Sequence, residues 1–137
     1  MKRVMAAALL VLTACSGTVG GDGNDDALPA CTVAPSPATS PTDLPPNFPT
    51  PDGVEYTSQE PAGPSTILEG TWYGATIESA FEGYKSAFVD AGYQITDEER
   101  EARDAEVNFA GGSSTGQVRL TVDCADRVDV GITIRPG

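Results

Sequence analysis

The chain has 137 residues, of which 20 are acidic, 8 are basic and none is histidine. The absence of histidine excludes Ser-His-Asp and Cys-His catalysis and histidine-based zinc sites. The net charge of −12 makes nucleic acid and anionic lipid headgroups unfavourable partners.

Residues 1–14 have the organisation of an export signal. Two basic residues precede an apolar run, residues 4–12, which is too short to span a membrane as a stable helix. The run leads into Leu12-Thr13-Ala14-Cys15, which resembles the lipobox of bacterial lipoproteins. This resemblance implies that Cys15 is lipidated after removal of the signal peptide, and that its acyl chains hold the protein on the extracytoplasmic face of the cell membrane. An ordinary secretory peptide with an incidental Cys15 is the alternative.

Residues 15–46 are rich in Gly, Asp, Ser, Thr and Pro, a composition that predicts a disordered tether between the lipid and the domain. Cys31 and Cys124 then remain as a pair in an oxidising compartment, which predicts a disulfide, with two free thiols as the alternative. The bond would close a loop of about 90 residues and contribute about 4 kcal/mol. It would also hold residues 31–46 along the sheet or over its end.

The folded domain is expected at residues 47–137 and opens with a hairpin. Residues 54–58 alternate like a strand, residues 60–64 predict a break, and residues 66–73 predict the second strand. Trp72 shares a face of this second strand with Leu68 and Gly70, and we expect that face to point toward the helix. A register shift of one residue would put Tyr73 inside instead.

Residues 76–92 predict the one long amphipathic helix. Thr76 is placed to cap its first turn, and Gly92 is placed to end it in the left-handed conformation. Its apolar stripe has the spacing of one helical face and consists of Ile77, Phe81, Tyr84, Phe88 and Ala91.

Four further strands are expected after the helix. Residues 93–96 and 106–110 predict short strands; residues 97–105 predict a solvated connection, or alternatively a helical turn, and residues 111–116 a loop. Two long strands then meet at the Ala125-Asp126 turn. We expect their alternate apolar residues to point inward, namely Val118, Leu120, Val122 and Cys124, and Val128, Val130, Ile132 and Ile134.

The order ββαββββ predicts an α+β domain in which an antiparallel sheet of five to six strands packs on one helix and has one wet face. The lipobox, the Pro-rich tether and the helix end Tyr84-Lys85-Ser86-Ala87-Phe88, followed by Ala91-Gly92-Tyr93, resemble small lipoproteins of Gram-positive bacteria. That resemblance implies a single α+β domain of unassigned activity and supplies no catalytic residues.

We therefore expect a non-catalytic binding or interaction module that contacts an envelope protein and uses no cofactor or metal. Lys85, the only lysine after the signal, lies on the polar side of the helix, which argues against a Ser-Lys dyad. The alternative is a small envelope enzyme or a small-ligand carrier that uses the sheet face or a helix–sheet cavity. The possible partner surface is the wet face, with Tyr73, Thr71, Arg119, Thr121, Thr133 and Arg135.

Overall fold

The chain folds as a six-stranded antiparallel sheet with a helix on one face. This computed structural model describes residues 27–137. The elements are β1 (Val54–Ala62), β2 (Ser65–Tyr73), α1 (Ile77–Asp90), β3 (Gln94–Arg100), β4 (Asp104–Gly111), β5 (Ser114–Cys124) and β6 (Arg127–Pro136). The strands lie in the order β1-β2-β6-β5-β4-β3, and every neighbouring pair is antiparallel. The predicted α+β class and element order are confirmed.

The ends of α1 carry the predicted capping residues. The Thr76 hydroxyl accepts a hydrogen bond from the Ser79 amide at 3.1 Å, and the Ser79 hydroxyl accepts one from the Thr76 amide at 2.9 Å. These reciprocal bonds satisfy two amides that have no partner within the helix. At the other end the chain leaves through Gly92, whose φ of 86° lies in the left-handed region that favours glycine. Both predictions are confirmed.

The core between α1 and the sheet is built around aromatic rings. Phe88 of α1 stacks on Phe109 of β4 with ring centroids 4.2 Å apart. Phe48, which precedes β1, meets these two rings edge-on at 5.5 and 5.7 Å. The apolar residues predicted to point inward from β5 and β6 are all buried: Val118, Leu120, Val122, Cys124, Val128, Val130, Ile132 and Ile134.

Trp72 lies on the helix side of β2, as predicted. Its ring meets Tyr84 of α1 edge-on, with centroids 5.5 Å apart. A Cβ at Gly83 would lie 2.6 Å from the Trp72 Cη2 atom, so the missing side chain of Gly83 makes room for the indole. Tyr73 points to the opposite face, where the Arg127 guanidinium lies 5.5 Å from its ring centroid.

Two of the predicted breaks are shorter than expected. β1 continues to Ala62, and the hairpin turns at Gly63, whose φ is 63°. Pro61 is tolerated inside β1 because β1 is an edge strand, where a residue without an amide donor need not break a hydrogen bond to a neighbouring strand. The loop expected at residues 111–116 is also short, since β5 begins at Ser114.

The expectation of a solvated connection at residues 97–105 is wrong. β3 runs on to Arg100, and β4 starts at Asp104. The charged residues fit here because β3 is the last strand of the sheet and its side chains remain exposed. On the helix side Glu98 also accepts a hydrogen bond from Lys85 at 3.0 Å, which a loop would not position.

The described part of the expected tether lies against the domain. The signal peptide at residues 1–14, Cys15 and the first part of the tether fall outside the described residues. From there on, the structure joins Cys31 to Cys124 through a disulfide, with Cα atoms 5.1 Å apart. Residues 31–46, which we call the N-terminal strap, are therefore held to the sheet and are not a free tether.

Hydrogen bonds fix the strap along β1. The Thr39 amide donates to the Tyr56 carbonyl at 2.6 Å. The Gln59 side chain accepts from the Thr42 amide at 2.8 Å and donates to the Thr42 carbonyl at 2.6 Å. Leu44 then packs against the core. The composition of the strap did not reveal these contacts, because each of them depends on the folded position of β1.

The contact between Trp72 and Gly83 gives a test of the packing. Gly→Ala on an open helix surface stabilises a protein by about 0.5–1 kcal/mol. At Gly83 we expect the opposite sign, a loss of about 1–3 kcal/mol in urea denaturation, because the new methyl overlaps the indole. Gly83→Ala in a Trp72→Phe background should recover most of the loss, and Ser86→Ala on the exposed side of α1 should change stability by less than about 0.5 kcal/mol. A stabilised single variant would contradict the packing.

Candidate functional site

No helix or other strand within residues 27–137 packs on the side of the sheet away from α1, which the strap contacts at Arg127. Its side chains alternate with the buried ones along each strand. All six residues of the predicted partner surface lie on this side, on the adjacent strands β2, β6 and β5: Thr71, Tyr73, Arg119, Thr121, Thr133 and Arg135. We call this side of the sheet the open face.

Acidic residues lie next to three of the six predicted residues. Asp129 lies between Thr71 and Thr121 in a row across β2, β6 and β5. In the next row Arg119 faces Glu106 of β4, with the Arg119 Nε atom 3.6 Å from a carboxylate oxygen. The open face therefore presents arginines and threonines interleaved with acids, and not one continuous basic or aromatic patch.

Tyr73 is partly covered by a neighbouring arginine. Arg127 lies over the Tyr73 ring, and its Nη1 atom lies 3.8 Å from an Asp123 carboxylate oxygen. The same guanidinium donates to the Val33 carbonyl of the strap at 2.9 Å, and only 14% of the Arg127 side chain is exposed. The alternation of β6 places Arg127 on the wet face, but Arg127 was not among the six residues of the predicted partner surface, because its contact with Val33 depends on the position of the strap.

The carboxyl of Asp129 on the open face has a raised pKa. Partial burial raises the pKa of its carboxyl from 3.8, and the nearby Asp123 raises it further, while Arg127 opposes the shift. The alternation of β6 already places Asp129 on the wet face. The interleaving of Asp129 with the threonines follows only from the pairing of β6 with β2, which joins distant parts of the chain.

The interior has a buried polar pair that the sequence did not indicate. The hydroxyls of Tyr56 and Tyr84 lie 3.3 Å apart, and Tyr84 is fully buried. Burial raises the pKa of both hydroxyls, and that of Tyr84 strongly, so both stay neutral at physiological pH. A neutral, mutually hydrogen-bonded pair meets the requirement that buried polar groups be satisfied. We interpret it as part of the fold.

The residues considered for catalysis do not form a reactive arrangement. The Lys85 ammonium lies 3.0 Å from a Glu98 carboxylate oxygen and 3.9 Å from a Glu82 carboxylate oxygen, and no serine in the described part of the chain is paired with it. The Ser114 hydroxyl donates to the Gly111 carbonyl at 2.9 Å within a hairpin turn. Within residues 27–137 there is no group of three His, Cys, Asp or Glu side chains placed to hold a metal ion.

The spaces next to the strap are open grooves. Volumes of 420 and 520 Å³ lie where the strap passes β1, lined mainly by Ser, Thr, Pro and acidic residues. The space between α1 and β4, in contrast, is filled by the rings of Phe48, Phe88 and Phe109. Ligand carriers bury most of the ligand in a cavity, whereas both of these grooves are open to solvent.

Comparisons with protein-family models, with curated proteins and with solved structures gave no match to this chain. Among the described residues no helix is long and apolar enough to cross a membrane. The functional interpretation therefore depends on the chain's own residues and their geometry.

The raised pKa of Asp129 predicts a pH dependence of stability. The folded protein binds this proton more tightly than the unfolded chain, so the free energy of unfolding falls as the pH rises through the interval between the two pKa values. Asp129→Asn removes the titrating carboxyl, so the variant should not lose this part of the free energy of unfolding as the pH rises. At neutral pH it should be more stable than the parent by less than about 1 kcal/mol, because solvent screens charges on the open face. Urea denaturation from acid to neutral pH measures the difference.

Two neighbouring variants provide opposite controls for this titration. Asp123→Asn should lower the pKa of Asp129, and Arg127→Met should raise it, as followed by NMR of the Asp129 carboxyl carbon. Shifts of the same sign in both variants would contradict the electrostatic origin.

Proposed function

We propose that this protein is a lipid-anchored, extracytoplasmic binding module of the cell envelope. The lipobox-like sequence ending in Cys15 supports the anchor, and the Cys31–Cys124 disulfide fits an oxidising compartment. The net charge of −12 argues against attachment through a basic membrane-binding surface, whereas acyl chains on Cys15 do not require such a surface.

The observation that carries the binding proposal is the open face itself. It extends over six strands, and it combines exposed Arg119 with half-buried Thr71, Thr121 and Tyr73. Side chains of these types are common in protein interfaces, where tyrosine and arginine contribute much of the binding energy. We propose that an envelope protein packs on this face without catalysis.

The alternative is a small enzyme or a ligand carrier. Its candidate sites are the open face and a cavity between helix and sheet. The aromatic packing of Phe48, Phe88 and Phe109 leaves little space between α1 and β4, and Lys85 is engaged by carboxylates. We therefore favour the binding module.

The anchor proposal predicts the behaviour of Cys15→Ala. We expect this variant to lose labelling by a radioactive or clickable fatty acid, and to be released or to accumulate as the uncleaved precursor, because the acyl acceptor is gone. The double variant Cys31→Ala/Cys124→Ala is the matched control and should keep its label. Membrane attachment of Cys15→Ala with no change in mass would refute the anchor.

Site-specific photo-crosslinking in the envelope tests the binding surface. A crosslinking amino acid at Thr121, near the centre of the open face, should give an adduct with an envelope protein, while the same group at exposed Ser86 on α1 should not. Adding Tyr73→Ala and Arg119→Ala should reduce the adduct yield about tenfold or more, if these side chains contribute as interface residues usually do. Equal adducts from Thr121 and Ser86, or none from Thr121, would contradict the proposal.

A further inference from the structure

The two edges of the sheet differ in what covers them. At the β1 edge the strap donates a hydrogen bond from Thr39 to the Tyr56 carbonyl. At the β3 edge nothing within residues 27–137 pairs with the outer side of the strand. An unpaired edge presents a row of backbone donors and acceptors that can accept another strand.

The pairing of β4 shows which backbone groups of β3 are free. The Glu101 amide donates to the Asp104 carbonyl at 2.8 Å, and the Val122 amide donates to the Arg103 carbonyl at 2.8 Å. Alternate residues of β4 therefore bond to β3 and to β5. In an antiparallel pair this alternation turns the amides and carbonyls of Glu98 and Arg100 away from β4, toward the free edge.

The residues that flank Glu98 on β3 are both acidic and exposed. Asp97 and Glu99 point to the open face, opposite Asn108 and Glu106 of β4, and both are exposed. Neither has an ion-pair partner among the described residues, whereas the neighbouring Glu106 is paired with Arg119. The free edge thus combines unpaired backbone groups with two unpaired carboxylates spaced two residues apart.

We propose that the β3 edge accepts an extended cationic segment of a partner protein as a seventh strand. Lysine or arginine at alternate positions of that segment faces Asp97 and Glu99, while the backbone of the intervening residues bonds to Glu98 and Arg100. The bulge between Ile95 and Asp97 limits regular pairing to the part of β3 that follows it. This inference goes beyond the proposed function, because it concerns strand pairing at the β3 edge, whereas the proposed function concerns a partner that packs across the open face.

Charge decides between the possible occupants. A second copy of this chain, pairing β3 with β3, would bring the acids at 97 and 99 together, and like charges on opposing strands are destabilising. A cationic strand has the complementary charge, and the overall charge of −12 adds a long-range attraction. Recognition through an added strand gains affinity from the main chain and specificity from alternate side chains.

The test uses the full chain with its disulfide intact and a hexapeptide of alternating lysine and threonine. Binding should slow hydrogen exchange of the Glu98 and Arg100 amides by about tenfold or more at saturating peptide, as measured by NMR. Lysines opposite Asp97 and Glu99 occupy non-hydrogen-bonded positions, so methylating the lysine amides should preserve binding, whereas methylating the threonine amides should abolish it.

Protein variants test the charge and the backbone separately. Asp97→Asn/Glu99→Gln should weaken peptide binding about tenfold, and the matched Glu55→Gln/Glu60→Gln on the covered β1 edge should leave it within about twofold. Glu98→Pro removes one outward amide and should abolish binding, while Glu98→Ala should retain it.

Each other outcome overturns the proposal. Absence of binding, or binding that tolerates methylated threonine amides, would show that the edge does not take up a strand. Equal losses from the β1 and β3 variants would show attraction by overall charge alone. Concentration-dependent protection of Glu98 and Arg100 without peptide would assign the edge to a second copy. Loss of the open-face crosslink from Thr121 would not enter this decision, because Thr121 lies on β5, which β4 separates from the β3 edge.

Discussion

The contact between Phe88 and Phe109 is the interaction on which the rest of the arrangement depends. The two rings stack with centroids 4.2 Å apart and so pack α1 against the sheet, and the Phe48 ring packs edge-on against both of them. A Cβ at Gly116 of β5 would lie 2.5 Å from the Phe109 ring, so this glycine lets β5 pass beneath it. Because α1 is centred over β3, β4 and β5, the inner side of β1 needs a second cover.

The strap supplies that cover and is fixed at both ends. Its first residue, Cys31, is bonded to Cys124, and Phe48 enters the core just beyond its last residue. The cross-link spans 93 residues, and in the chain-entropy model such a loop removes about 4–5 kcal/mol of freedom from the unfolded chain. A proline-rich segment with few apolar residues is thereby ordered along β1, which it could not achieve through its own burial.

The sequence predicted those parts of the fold that are encoded locally. The alternation in β5 and β6, the caps of α1 and the helix-facing side of Trp72 all follow from residues near one another in the chain. The charged end of β3 was missed because an edge strand tolerates the composition of a loop. The open face was predicted, but the position of Asp129 between Thr71 and Thr121 was not. That position depends on the pairing of β2 with β6, which the sequence does not show.

The inner side of the sheet is thus fully packed, whereas the open face and the β3 edge remain available to a partner. The inner side has its rings packed, and among the described residues no buried side-chain polar atom lacks a hydrogen-bond partner. The open face retains Arg119 and the threonines, and the β3 edge retains backbone groups beside Asp97 and Glu99. The hydroxyls of Tyr56 and Tyr84, whose pKa values burial raises, lie in the interior, and Asp129, whose pKa is also raised, lies on the open face. Both the proposed binding function and the proposed added strand rest on these two surfaces, which are extended and polar.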